Sequence, residues 1–132
     1  MSSYILDQLN SAVQGLLYQS ESDEPFAVLH WRDAGAACGP EQVRVRAKCP
    51  SGTSIRTKSL DDFFQDLVAE KSWHGGEEKT AARKYQRLKD LIVKELPNAQ
   101  VFLLGEIEVL IWIVGKAGQD DWFALTTKSI ET

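Results

Sequence analysis

A mixed α/β (α+β) fold, layered as a three-layer α/β/α sandwich, is what three features of this chain of 132 residues predict. Apolar residues recur at helical spacing near the start and again over 77–96. The last third holds three strand-like runs separated by short Gly- and Asp-containing turns, the pattern of an antiparallel meander. The middle run, VLIWIVG (109–115), is apolar on both alternating faces, so helices are expected to cover it on both sides.

Taken in order, residues 4–18 place Ile5, Leu6, Leu9, Ala12, Val13, Leu16 and Leu17 at helical spacing, with Ser3 as the expected cap. SESDEP (20–25) reads as a turn cluster and FAVLHW (26–31) as a buried strand. After the small-residue loop DAGAACGP, Pro40 at a first helical position followed by Glu41 predicts a short helix within 40–48. TSIRTKS predicts a brief strand. Ser59 with Asp62 three residues later resembles the start of a capping box. The helix it opens carries the stripe Leu60, Phe63, Phe64, Leu67 and Val68. The loop SWHGG (72–76) leads into the longest helix, 77–96, with Ala81, Tyr85, Leu88 and Ile92 facing inward and Pro97 as its stop. AQVFLLG, IEVLIWIVG and WFALTTKSI supply the meander. The expected order is α-β-α-β-α-α-β-β-β in one domain, 1–132, with no internal repeat and no interdomain linker.

Composition narrows the function. With 43% hydrophobic and 26% charged residues the chain can bury a core, so intrinsic disorder is not expected. The start MSSYILDQLN is not a basic, apolar export signal, and no apolar run approaches the roughly 20 residues that span a bilayer. A cytoplasmic protein with no membrane partner is expected. Cys38 and Cys49 are then expected as reduced thiols, and their spacing matches no zinc pattern, with His30 too little to complete one. The net charge of −4 is uneven: residues 42–60 hold Arg44, Arg46, Lys48, Arg56 and Lys58 and no acid, which leaves 10 basic against 19 acidic residues elsewhere. That balance argues against direct nucleic-acid binding and favours a basic partner, with 42–60 as a solvated face.

Catalytic patterns are thin. Neither His30 nor His74 lies near a nucleophile motif, and no GxSxG, Walker loop, GxGxxG or HExxH occurs. Glu106 and Glu108 share a face at the start of a strand and have the chemistry for acid–base work, but solvation at a sheet end accounts for them as well. Asp120 and Asp121 read as turn residues. No enzyme is expected, and a small-molecule enzyme built on the Glu106/Glu108 end is the weakest reading. What remains is the acidic SESDE (20–24), the tryptophan of SWHGG and the final Thr132, whose hydroxyl and carboxylate are donors that suit a hard divalent cation. Each has a plain account, as an acidic turn, an aromatic lapping the core and an ordinary chain end. Together they outline a binding surface of a charge, an aromatic anchor and oxygen donors on loops of a rigid scaffold.

Four stretches, GLLYQSESDEPFAVLHW (15–31), DDFF (61–64), LLGEIEV (103–109) and TTKSIET (126–132), resemble the nuclease A inhibitor family, inhibitors of sugar-nonspecific endonucleases, over about residues 4–132. The resemblance implies a fold similar to that of pathogenesis-related class 1 (PR-1-like) proteins, an α/β/α sandwich. It implies that Glu21, in the SES turn, hydrogen-bonds active-site arginines of the nuclease and that Trp73 packs at the interface. It further implies that Thr132 reaches the nuclease's catalytic Mg2+ through its hydroxyl and displaces a metal-bound water. Ser72 stands where the family has an acid, and Ser72 and Glu24 complete the expected partner-facing set. No cofactor of its own is implied, only contact with the Mg2+ of the bound nuclease. The expected assembly is a 1:1 complex with an inhibitor that is a monomer when free. The competing reading is a non-catalytic protein-interaction domain of the same fold with a different partner.

Overall fold

The computed structural model describes residues 2–19, 23–31, 40–50, 52–65, 67–69, 75–117 and 121–130. The chain forms α1 (Ser2–Val13), β1 (Leu17–Gln19), β2 (Asp23–Pro25), β3 (Ala27–Trp31), α2 (Pro40–Arg46) and β4 (Ile55–Lys58). It continues through α3 (Leu60–Phe64), α4 (Gly76–Glu95), β5 (Gln100–Leu104), β6 (Glu108–Ala117) and β7 (Asp121–Ile130). The mixed α+β class is as expected, with antiparallel pairing throughout.

The meander β5–β6–β7 is the centre of a five-stranded sheet in the order β3-β7-β6-β5-β4. Ile113 lies opposite Val101 on one side and Leu125 on the other. The two-sided apolar pattern of β6 has a direct consequence. Val109, Ile111 and Ile113 join Phe123 and Leu125 in a buried cluster with Leu9 of α1, Phe64 of α3, and Leu88 and Ile92 of α4. Trp112 and Val114, on the alternate positions, join Trp31, Phe102, Leu104 and Ala124 in a second cluster with Val43 of α2. Burying one such side chain is worth about 1.5–3 kcal/mol, so the two clusters dominate the stability of the sheet. Close packing here depends on Gly115, because a Cβ at that position would stand 2.6 Å from Cβ of Leu96 at the end of α4.

Several local features are as the residues predict. Ser59 caps α3, its Oγ accepting from the amide of Asp62 at 3.0 Å. Pro40 is the first residue of α2, and Leu96 closes α4 directly before Pro97. Among the basic residues of 42–60, Arg46, Lys48, Arg56 and Lys58 are exposed, in keeping with a solvated face. Arg44 donates to the carbonyl of Cys49 at 2.7 Å, and Arg46 stands 5.0 Å over the Trp31 ring. Cys49 is a free thiol; Cys38 lies outside the described residues. Among the described residues no helix is long and apolar enough to cross a membrane.

Other elements differ from the expected ones. The first helix stops at Val13, because Gly15 takes a positive φ of +80° and turns the chain away from the helix axis. Ser3 lies inside α1 and is not its cap. Leu17–Gln19 and Asp23–Pro25, expected as helix tail and turn, pair as a hairpin with Tyr18 opposite Glu24. The expected order therefore gains two strands. The strand β3 is half exposed, since it is an edge strand with β7 on one side. Glu106 lies in a bend before β6 and does not share a strand face with Glu108. Asp121 opens β7, with its Oδ1 3.1 Å from Nε2 of His30.

Candidate functional site

The last strand changes character along one face. Phe123 and Leu125 are fully buried under the helices, and the next two positions on that face are Thr127 and Ser129, each 5% exposed. These are the buried polar residues among the described residues. A buried hydroxyl needs a partner, since leaving it unpaired costs about 1–3 kcal/mol. Thr127 finds its partners in the hairpin: its Oγ1 is 3.0 Å from the carbonyl of Pro25 and 3.3 Å from that of Glu24.

The hairpin is fastened at its other strand as well. The hydroxyl of Tyr85 on α4 donates to the carbonyl of Leu17 at 2.9 Å. Burial, and then the neighbouring Tyr18, push the Tyr85 hydroxyl far above the usual phenol range, so it stays protonated as a donor. Between these two anchors the Tyr18 ring stacks on Phe63 of α3 at 5.9 Å and meets Phe26 edge-on at 6.4 Å. The hairpin thus closes the helix-covered face of the sheet at the end where β7 finishes.

Three of the connections that the sequence singles out leave the scaffold around this hairpin. Residues 20–22, with Glu21, join Gln19 to Asp23, which are themselves paired. Residues 70–74, with Ser72 and Trp73, run between Ala69 and Gly75. The flanks of that loop, Leu67 and Gly76, line an open groove of about 730 Å³ together with Leu16, Leu17 and Tyr85 at the base of the hairpin. Residues 131 and 132 follow Ile130, three positions beyond Thr127. Glu21, Ser72, Trp73 and Thr132 lie outside the described residues, as do His74 and Asp120. Glu24 is described: it is half-buried on β2, opposite Tyr18.

Glu108 sits at the same end of the sheet, opposite Ile130, but its carboxylate pairs with Lys128 at 3.5 Å on the other face. The Glu106/Glu108 pair and the hairpin are therefore separate features. Sequence reasoning placed Tyr85 inward but not its hydroxyl on Leu17, and it missed Thr127; the two hold the hairpin. The one signal for Thr127 was the switch from apolar to hydroxyl residues within the alternation FALTTKS.

The fold and this end of it define a class, an α+β scaffold that gathers three loop-bearing segments beside one anchored hairpin. The model of the family described as nuclease A inhibitor-like protein (NuiA) matches residues 3–132, and the chain belongs to that family. Membership in an inhibitor family implies a non-enzymatic role. Among curated proteins no match is found.

Proposed function

We propose that this chain is a protein inhibitor of a metal-dependent, sugar-nonspecific endonuclease, and that it blocks the active site in a one-to-one complex by mimicking substrate. The family match over residues 3–132 carries the reading. The hairpin that carries 20–22 supports it: this hairpin shares a groove with Leu67 and Gly76, which flank 70–74, and is fastened by Thr127 to the strand that leads to 131–132. In the same reading the two buried clusters belong to a three-layer α/β/α sandwich of the PR-1-like kind.

The chemistry follows from the target. A nuclease cleft binds a polyanion, so it is lined with cations and holds a hard metal. Glu21 takes the place of a phosphate and accepts charge-assisted hydrogen bonds from arginine. Trp73 supplies the apolar anchor, with Ser72 beside it in sequence, and Glu24 adds negative charge in the middle of β2. The Thr132 hydroxyl occupies a position on the nuclease's metal where water or a phosphate oxygen sits during cleavage. The excess of acid outside residues 42–60 steers the inhibitor toward a cationic cleft. The inhibitor brings no metal of its own.

Titrating the purified chain into a magnesium-dependent nonspecific nuclease tests the reading. Cleavage is expected to fall to zero at one equivalent, with a 1:1 complex by light scattering. A nuclease that keeps full activity under a large excess of the chain would leave the same fold serving a different protein partner. Thr132→Val refines the test: it is expected to weaken binding to the metal-loaded nuclease, and the deficit shrinks when the metal is removed.

A further inference from the structure

We infer that Thr127 is a positioning residue whose hydroxyl locks the β1–β2 hairpin to the terminal strand, so that Asp23 and Ile130, from which the segments 20–22 and 131–132 continue in sequence, keep a fixed spacing. The inference rests on the inhibitor reading for its effect on binding, and on the structure alone for the lock. A two-stranded hairpin is marginal in water, and this one has three residue pairs. Its order must come from tertiary contacts. Pro25 has no amide hydrogen to pair, so the end of β2 gains its anchor through carbonyls. The Thr127 hydroxyl meets the carbonyls of Pro25 and Glu24 at 3.0 and 3.3 Å from a position 5% exposed.

The placement matters as much as the bond. Thr127 belongs to β7, which pairs with β6 along its whole length, and it lies opposite Ile111. The hairpin is therefore referenced to the most firmly held part of the molecule, and so is the strand that leads to Thr132. A partner that engages both segments gains affinity when their spacing is fixed before binding, because less ordering remains to be done in the complex. On the opposite strand Tyr85 does the same for Leu17.

The test compares Thr127→Val, which keeps the β-branched shape and removes the hydroxyl, with Thr127→Ser, which keeps the hydroxyl. Two readouts are taken on the full chain: amide hydrogen exchange, and the dissociation rate from a magnesium-dependent nonspecific nuclease. Thr127→Val is expected to speed exchange at the hairpin amides while those of β6 stay protected, and to raise the dissociation rate about five- to tenfold, the scale of one lost hydrogen bond. Thr127→Ser restores both. Unchanged hairpin exchange in Thr127→Val overturns the lock whether or not the wild-type chain inhibits. Faster exchange with an unchanged dissociation rate overturns the positioning role while leaving the inhibitor reading intact. If Thr127→Val does not fold, Tyr85→Phe, which frees the Leu17 carbonyl, is put through the same two measurements with the same expectations.

Discussion

β6 runs for ten residues with a partner strand on each side and a buried apolar cluster on each face, whereas β1 and β2 share three residue pairs at the margin of the core. Both regions are antiparallel β-structure, yet different forces hold them. In β6, Val109, Ile111, Ile113 and Val114 are each at most 2% exposed, so hydrophobic burial fixes the strand many times over. In the hairpin Leu17 is 46% exposed, and the fastening falls to the Tyr18 ring and to hydroxyls donated by Tyr85 and Thr127. A hydrogen bond contributes about 1 kcal/mol net, but it also has direction. The sheet is built for stability, and the hairpin is built for orientation. Residues in the two regions should therefore affect different measurements.

The largest effect is expected at Ile113→Ala. This side chain is fully buried between Val101 and Leu125, so truncation should cost about 2–5 kcal/mol of unfolding free energy by denaturant titration. Nuclease binding by the folded fraction should stay as in the wild type. A binding defect in that fraction would erase the division of labour between the regions.

Glu21→Gln reverses the signature. Inhibition should weaken by about 1.5–3 kcal/mol through faster dissociation, with an unchanged melting temperature. If the inhibition constant does not move, Glu21 has no place in the interface.

Trp73→Ala sharpens the comparison from the other loop. Binding should lose about 2 kcal/mol, as for an interface anchor, while folding stability changes little. A mutant that binds normally but unfolds several kcal/mol more easily would put Trp73 in the core.

Ser59→Ala should give the smallest change. Loss of the cap on α3 costs about 1 kcal/mol of stability. Ser59 follows β4, the edge strand three strands from β7, so inhibition should be untouched. Impaired inhibition would mean that α3 transmits its fraying to the hairpin through the Tyr18–Phe63 stack.

Local chemistry was enough for the parts of the fold that a single segment dictates. The helical period of α4, the stop at Pro97, Pro40 at the start of α2, the Ser59 cap and the two-sided apolar run of β6 were all legible, because each depends on residues a few positions apart. The family resemblance named Glu21, Trp73 and Thr132, and the nuclease A inhibitor-like match covers the stretches that carry them. Other features belong to no segment. Three-residue strands are too short to show a period, so the sequence of the hairpin reads as a helix tail and a turn. The half-exposed state of β3 follows from its place in the strand order. His30 meets Asp121 across 91 positions, Tyr85 meets Leu17 across 68, and Thr127 meets Glu24 across 103. Those pairings are settled by sheet register and helix docking, which depend on the packing of the whole chain. The sequence by itself therefore determined which segments are helix and strand in the core. Only the tertiary structure decided where the hairpin is anchored, because a hydroxyl has no preferred partner until folding brings a carbonyl within reach.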